Sequence, residues 1–252
     1  MADLEAVVFD VDGTLVDSER FGHRVAFNAA FEAFDLPYRW DDDEYGRLLH
    51  TTGGERRIAG YLADQGVTAD ERDRLAPALH ACKTKLLVEM IDGGALGARP
   101  GVVRLLDELV AGGVRLAVAT TGSRAWVERL LSRVVPGIPF EVVVTGDEVT
   151  ARKPDPEAFT EALARLDLPP AAAVAVEDSA EGVHSAVAAG LACAVVVNGY
   201  TAGHDLSSAD LVLDGFGDVE RPAAVLADRR ATGCAGVLDC PTLARLVGRE
   251  AG

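Results

Sequence analysis

The most constraining feature of the sequence is the alternation of apolar segments and helical segments between residues 101 and 197. The apolar segments are short and almost continuous, which is typical of strands that are buried on both faces. The segments between them carry apolar residues at helical spacing, so helices connect the strands. Buried strands with helical connections predict an α/β fold with a doubly wound parallel sheet. The predicted strands are 5–9, 114–120, 141–145, 172–177 and 193–197, with 211–213 as a short further strand.

A helical insert interrupts this pattern after the first strand. From residue 41 to residue 92 the apolar residues supply helical faces, and near-continuous strand segments are missing. We therefore predict an α/β core domain made of residues 1–17 and 93–252, and a small helical cap domain made of residues 18–92. The stretch from residue 220 onward is rich in Ala and Arg, and we predict that it is helical.

The charge and cysteine content of the chain exclude several classes of protein. The 252 residues include 40 acidic and 24 basic residues, a net charge of −16, whereas nucleic acids and anionic membranes bind basic surfaces. The N-terminus lacks a basic segment followed by a long apolar stretch, which argues against a signal peptide. The four cysteines form no CxxC pair, as expected for free thiols in a reducing compartment. We expect a cytoplasmic protein, monomeric or weakly homodimeric, that binds neither nucleic acid nor membrane.

Polar residues follow the predicted strands at the ends where ligands bind to open α/β sheets. Asp10 and Asp12 come directly after the first strand, and Thr120 ends the second. Because the carboxyl ends of parallel strands share one edge, we expect these side chains to converge with those that follow the third and fourth strands. The latter are Lys153, Glu177 and Asp178.

Converging carboxylates repel one another unless a cation lies among them. Hard oxygen ligands suit Mg²⁺, and a phosphate group is a natural second partner of that ion. Lys153 would add a compact positive charge for the phosphate, and the Thr120 hydroxyl and the backbone N–H groups near Gly122 would donate hydrogen bonds to it. Asp10 can then act as the nucleophile, and Asp12 as the general acid and base. The pattern predicts phosphoryl transfer through an aspartyl-phosphate.

Each of these elements also has a purely structural explanation. A lone Asp-x-Asp is common in turns, and a threonine at a strand end often bonds to the backbone. Lys153 beside a proline is typical of a solvated loop, and Glu177-Asp178-Ser179 is a good helix N-cap. Their joint position at successive strand ends favours the catalytic interpretation.

The motifs resemble those of the haloacid dehalogenase (HAD) superfamily, phosphatase type. The segment from Asp10 to Glu19 is similar to its first motif, and Thr120, Lys153 and Glu177-Asp178 are similar to the second, third and fourth. The resemblance implies that Asp10 is the nucleophile and Asp12 the acid and base. It also implies that the Asp10 side chain, the Asp12 carbonyl and Asp178 hold Mg²⁺ beside Glu177. The substrate would contact Thr121, Gly122 and Ser123 after the second motif.

The insert resembles the small helical cap of the phosphoglycolate phosphatase and β-phosphoglucomutase branch. Within that branch, several stretches look like phosphatases of the CbbY type, which remove a phosphate from xylulose-1,5-bisphosphate. They are Gly22-His23-Arg24, Tyr45 to Leu49 with Gly53-Gly54 and Arg56, Arg99-Pro100-Gly101, and Gly199 to Ala202. The resemblance implies a small phosphorylated substrate whose second phosphate binds cations of the cap. The candidate residues there are His23, Arg24, Arg47, Gly54, Arg56 and Arg57.

Other functions stay open at this point. Glu55 stands where members of that group often carry Lys, and an acid there opposes a second phosphate. The cap arginines can also be explained as a solvated helix face. A β-phosphoglucomutase or a phosphoglycolate phosphatase-like hydrolase would share the same phosphoryl-transfer residues. A non-catalytic binding protein on the HAD fold is the alternative from a different class.

Overall fold

The computed structural model describes residues 4–247, so the ends of the predicted core domain, 1–3 and 248–252, lie outside it. The chain divides into two compact units. The core unit comprises residues up to Asp17 and from Gly97 onward, and the insert unit comprises Ser18–Leu96. None of the helices among the described residues is long and apolar enough to cross a membrane.

The core unit contains one seven-stranded sheet with the strand order β3-β2-β1-β4-β5-β6-β7. The first six strands are parallel and β7 pairs antiparallel with β6. Helical connections separate the parallel strands from β2 to β5, as the alternating pattern predicts, so the α/β fold class is confirmed. The strands are β1 Ala6–Phe9, β2 Arg115–Ala119, β3 Phe140–Val144, β4 Ala173–Glu177, β5 Ala192–Val196, β6 Leu211–Leu213 and β7 Val225–Asp228.

The register of the central strands brings the predicted site residues together. Phe9, the last residue of β1, pairs with Val118 on one side and with Val176 on the other. The residues that follow these three positions therefore leave the sheet at one edge. Four helices follow the strands of this part of the chain: α5 Val102–Ala111, α6 Arg124–Val134, α7 Glu157–Leu166 and α8 Ala180–Ala188.

Alternate residues of the central strands face opposite sides of the sheet. Ala6 and Val8 of β1 belong to a buried cluster that includes the apolar faces of α7 and α8. Val7 and Phe9, which alternate with them, are also fully buried. Burial on both faces explains why the strand segments are almost free of polar residues.

The insert unit is helical, with α1 Arg24–Ala33, α2 Asp42–Leu48, α3 Gly54–Asp64 and α4 Ala69–Asp92. A π-helical turn over Glu19–His23 precedes α1. The core of the unit is aromatic: the Trp40 ring lies 4.9 Å from the rings of both Phe27 and Phe31 between centroids. The Asn28 amide bonds to the backbone N–H and C=O of Trp40, each at 2.8 Å, and so fixes the segment between α1 and α2.

The prediction of a helical stretch after residue 220 is wrong. Up to residue 247, the last of the described residues, the segment forms β7 and one short helix, α9 Cys240–Ala244, joined by loops. Two glycines explain the outcome, because Gly217 and Gly236 both adopt positive φ and a Cβ on Gly217 would lie 1.9 Å from the Gly236 carbonyl oxygen. This close approach and the pairing of β7 with β6 override the helical preference of Ala and Arg.

Candidate active site

Asp10 is the first residue of the candidate site along the chain, and it lies directly after the last residue of β1. Its backbone N–H still bonds to the Val176 carbonyl at 3.0 Å, which holds Asp10 at the sheet edge. The chain then turns sharply, with the N–H groups of Leu15 and Val16 donating to the Val11 carbonyl. Gly13 has φ +84 within this turn, a conformation that favours glycine. The turn places Asp12, which is half-buried, on the loop two residues after Asp10.

The end of β4 supplies two further carboxylates. Ser179 caps α8 by accepting the Gly182 N–H at 3.1 Å, so the helix-cap explanation is correct for the serine. Glu177 and Asp178 are instead buried, with exposed fractions of 0% and 5%. A Cβ on Gly182 would lie 2.0 Å from the Glu177 carboxylate, so the first turn of α8 packs closely over this acid.

Lys153 forms ion pairs with one residue of the first motif and one residue of the fourth motif. Its Nζ lies 2.7 Å from Asp10 Oδ1 and 2.5 Å from Glu177 Oε1. It also lies 4.8 Å from the centre of the Phe159 ring. The side chain is buried, so Lys153 is not the solvated loop lysine of the structural alternative. Burial lowers its pKa, but the charges of Asp10 and Glu177 outweigh this effect, and the net pKa is raised.

The loop after β2 carries the hydroxyl and amide groups expected for phosphate binding. Thr120 is buried, and its Oγ1 accepts the Gly122 N–H at 3.2 Å. Thr121 and Ser123 are half-buried in the same loop. A Cβ on Gly122 would lie 2.3 Å from the Trp126 ring, so only glycine fits where this loop meets α6.

The buried carboxylates form a candidate metal site. One oxygen from each of Asp10, Glu177 and Asp178 lies within 4.8 Å of the others. Burial raises the Asp10 pKa to about 8; Lys153 opposes the rise, while Glu177 and Asp12 add to it. Burial, Glu177 and Asp10 raise the Asp178 pKa well above its usual value. The donor set is hard and strongly acidic, so it fits a divalent cation such as Mg²⁺.

Arg99 is a site residue whose contacts the sequence does not reveal. Its guanidinium donates to the Gly13 carbonyl, to the Val196 carbonyl at 2.9 Å and to the Val197 carbonyl at 2.6 Å. Burial lowers its pKa, and the charge of Asp178 opposes this. Arg99 therefore ties the turn after β1 to the end of β5. The Arg99-Pro100-Gly101 stretch is the only sequence signal that points to it.

The insert unit contains a separate buried cluster of basic side chains. Lys83 Nζ is hydrogen-bonded to His23 Nδ1 and lies 4.8 Å from the centre of the Phe27 ring. Arg57 donates to the Tyr45 hydroxyl and to the Leu48 carbonyl, both at 3.1 Å. The Tyr45 hydroxyl in turn donates to the Glu19 carboxylate. We call Arg57 and Lys83, together with the His23 ring that bonds to Lys83, the insert cation cluster.

Sequence reasoning missed Lys83, although the sequence carries a signal for it. Lys83 lies on the same face of α4 as Leu79 and Leu87, and all three are buried. A lysine within an apolar helical stripe is costly to bury, so its position there points to a specific partner. The spacing of these residues could have identified it.

The remaining predicted cap residues lie outside the insert cation cluster. Arg24 forms an ion pair with Asp42 at 3.0 Å. Arg47 is exposed, and exposed Arg56 donates to the Thr52 carbonyl at 3.0 Å. Gly54 has a packing role, because a Cβ there would lie 2.8 Å from the His80 ring.

Comparisons with known proteins agree with the motifs. Residues 7–196 match the family of haloacid dehalogenase-like hydrolases. The CbbY protein of Rhodobacter capsulatus is 44% identical over 211 residues, which are 82% of this chain and 92% of that protein. A validoxylamine A 7'-phosphate phosphatase of Streptomyces hygroscopicus subsp. limoneus is 30% identical, over 86% of this chain and 97% of its own length.

Solved structures show the same fold. CbbY from Rhodobacter sphaeroides in complex with phosphate has a TM-score of 0.75 and 40% identity, covering 84% of this chain and 94% of its own. A mutant of that protein in complex with xylulose-(1,5)bisphosphate has a TM-score of 0.74 and 38% identity, with the same coverage of 84% and 94%. The predicted enzyme class, a phosphoric monoester hydrolase, is confirmed. The motif order, the sheet topology and the family match together place the chain in the haloacid dehalogenase-like hydrolase family.

Proposed function

We propose that the protein is a Mg²⁺-dependent phosphatase of a small sugar phosphate, with xylulose-1,5-bisphosphate as its substrate. The observation that carries the proposal is the position of the Asp10 carboxylate. It lies at the end of β1, bonded to Lys153 and within the cluster formed with Glu177 and Asp178. A buried carboxylate held between a cation and a candidate metal site is suited to attack a phosphate group.

The reaction divides into two steps on this chain's own residues. The Asp10 carboxylate attacks phosphorus and forms an aspartyl-phosphate, while Asp12 gives its proton to the oxygen of the leaving sugar. Asp12 then takes a proton from the water that attacks the aspartyl-phosphate, which releases phosphate and restores Asp10. Lys153, the Thr120 hydroxyl and the N–H groups near Gly122 would stabilise negative charge on the phosphate oxygens.

We assign the metal to the side chains of Asp10 and Asp178 and the backbone carbonyl of Asp12. Glu177 is bonded to Lys153 and to the Asp178 N–H, so it supports the site from beside the metal. When bound, Mg²⁺ supplies positive charge to the phosphate and lowers the pKa of nearby carboxyls. That effect matters for Asp10, whose pKa burial raises to about 8, because only the ionised carboxylate is a nucleophile.

The insert cation cluster supports a substrate with a second negatively charged group. Lys83 and Arg57 both lie over the Phe27 ring, at 4.8 Å and 5.9 Å from its centre, and both are buried. Glu55 is exposed, so solvent screens its charge and the acid at this position opposes a second phosphate less than a buried carboxylate would. The complex of the related CbbY protein with xylulose-(1,5)bisphosphate supports the same substrate.

A kinetic panel tests the proposal. We expect xylulose-1,5-bisphosphate to give the highest kcat/KM, ahead of pentose monophosphates, phosphoglycolate and glucose 1-phosphate. Highest turnover of phosphoglycolate, or conversion of glucose 1-phosphate to glucose 6-phosphate with its bisphosphate present, would show a different function. Absence of hydrolysis of every substrate would overturn the phosphatase assignment itself.

A pair of variants tests the role of the insert cation cluster. Lys83→Met should raise KM for the bisphosphate about 10- to 100-fold, because a hydrogen bond to a charged group contributes about 1.5–3 kcal/mol. Arg56→Ala is the matched control, since Arg56 is exposed and bonds to the backbone of its own loop. We expect little change in KM for this variant. Equal effects of both substitutions on mono- and bisphosphates would contradict the assignment.

A further inference from the structure

Asn198 occupies a position that neither the motifs nor the reaction explains. It follows β5 at the same sheet edge as Asp10 and Asp178 and is half-buried. Its Oδ1 accepts the backbone N–H groups of Tyr200 at 2.8 Å and of Thr201 at 3.3 Å. Because the oxygen of the amide is committed to these donors, its nitrogen must face the opposite way.

The amide nitrogen bridges the two arms of the candidate metal site. Nδ2 donates to Asp178 Oδ2 at 2.6 Å and to the Gly13 carbonyl at 3.3 Å. A Cβ on Gly13 would lie 2.6 Å from this nitrogen and 2.3 Å from Asp178 Oδ2, so the glycine permits the close approach. The turn after β1 and the end of β4 are thus joined through one side chain.

Hydrogen bonds of Arg99 and of the Asn198 backbone hold this bridge in place. Arg99 also donates to the Gly13 carbonyl, and it bonds the carbonyls of Val196 and Val197 directly before Asn198. The Asn198 N–H donates to Thr201 Oγ1 at 3.0 Å, which holds the turn on the other side. The amide is therefore fixed from both neighbouring segments.

We propose that Asn198 is a positioning residue that orients the Asp178 carboxylate and the turn carrying Asp12 for metal binding. The inference rests on the metal assignment of the proposed function. A neutral donor suits this position, because the cluster already contains three buried acids and a further carboxylate would add to their repulsion. Hydrogen-bond partners that orient metal-ligating carboxylates typically contribute about 10- to 100-fold to metal affinity.

Direct measurement of Mg²⁺ binding tests the inference. Metal-free wild type, Asn198→Ala and Asn198→Ser are titrated with Mg²⁺ by calorimetry. Alanine removes the amide, whereas serine can still accept bonds within the turn but is too short to reach Asp178. We expect both variants to bind Mg²⁺ about 10- to 100-fold more weakly. If the alanine variant does not fold, the serine variant carries the test.

Thr201→Val is the matched control, because Thr201 supports the same turn without a contact to Asp178 in the hydrogen bonds described above. Loss of the Thr201 hydroxyl loosens the turn but retains the donor to Asp178, so we expect a smaller loss of Mg²⁺ affinity, of about threefold or less. We also expect saturating Mg²⁺ to restore most of kcat in the Asn198 variants. Unchanged affinity in those variants, or an equal loss in Thr201→Val, overturns the role of Asn198. Failure of the wild type to bind Mg²⁺ would instead overturn the metal assignment on which the inference rests.

Discussion

Replacing Asp10 with asparagine should abolish turnover and, in the metal-free protein, increase stability at neutral pH. Turnover is lost because an amide cannot form the aspartyl-phosphate. Stability increases because Asp10 is a buried carboxyl in a cluster with Glu177 and Asp178, and asparagine fills the same space without having to keep a proton that the unfolded chain releases at this pH. A single substitution therefore separates the catalytic role of the carboxylate from its cost to the fold.

The pKa of Asp10 sets the size and the sign of the effect. Burial raises it from 3.8 to about 8. Between these values the unfolded chain has lost the proton that the folded chain keeps, so stability falls as pH rises through this window. The slope is about 1.4 kcal/mol per pH unit, or about 3 kcal/mol between pH 5 and pH 7. Asparagine does not titrate, so the variant escapes this loss.

The contact with Lys153 is largely preserved in the variant. The Lys153–Asp10 hydrogen bond is 2.7 Å long and buried, and the amide oxygen of asparagine can still accept it. The variant should thus be about as stable as wild type at pH 5, where the folded wild type keeps the Asp10 proton. Relative to wild type it should gain about 3 kcal/mol by pH 7.

Urea unfolding in the presence of EDTA measures this difference. The chain has two tryptophans, so a Trp40→Phe background leaves Trp126 as the fluorescent reporter of the core unit. Asp107→Asn is the control, because Asp107 is an exposed carboxylate on α5 and its neutralisation should change stability by less than about 0.5 kcal/mol. A stability difference between Asp10→Asn and its parent that does not depend on pH would refute the reasoning. Residual turnover equal to wild type would refute the nucleophile assignment.

Three further predictions concern Lys153 and the candidate metal site. Lys153→Met should lower kcat/KM about 10²- to 10³-fold and destabilise the protein by about 3–5 kcal/mol, because it leaves Asp10 and Glu177 buried without their cation. Steady-state kinetics and urea unfolding measure the two effects. Unchanged kcat/KM would contradict the role of Lys153 in stabilising the phosphate oxygens. EDTA should remove activity and Mg²⁺ restore it, whereas full activity after chelation would exclude the metal. Burial raises the pKa values of Asp10 and Asp178, so Mg²⁺ binding near pH 7 should release protons from these carboxyls. The affinity of the protein for Mg²⁺ should therefore rise with pH toward pH 8. Calorimetry in buffers of different ionisation enthalpy measures the number of protons released.

The convergence of Asp10, Thr120 and Asp178 could be predicted because each follows a buried parallel strand. In a parallel sheet the direction of every strand is the same, so residues after neighbouring strands meet at one edge. The structure shows this arrangement, because Phe9 pairs with both Val118 and Val176 on the neighbouring strands. Periodicity within short segments was sufficient for this part of the fold.

The partners of the basic residues of the insert could not be predicted in the same way. Arg56 and Arg57 are adjacent in sequence, yet Arg56 is exposed and Arg57 is 8% exposed and bonded to Tyr45. The apolar stripe of Ile58, Tyr61 and Leu62 indicates the buried face of α3, and Arg57 lies on that face. The groups that Arg57 bonds there belong to α2, and packing between helices decides which they are.

The α/β class, the helical insert and the candidate catalytic residues at the strand ends follow from the sequence, because each depends on local periodicity or on strand direction. The antiparallel β7, the buried pairing of Lys83 with His23 and the bridge from Asn198 to Asp178 depend on tertiary contacts. Strand direction places Asn198 and Asp178 at the same sheet edge, because β5 and β4 are parallel neighbours. The turn that commits the Asn198 oxygen to Tyr200 and directs its nitrogen to Asp178 is not indicated by the sequence. Contacts of this kind form when strands and helices pack, so the three-dimensional arrangement alone reveals them.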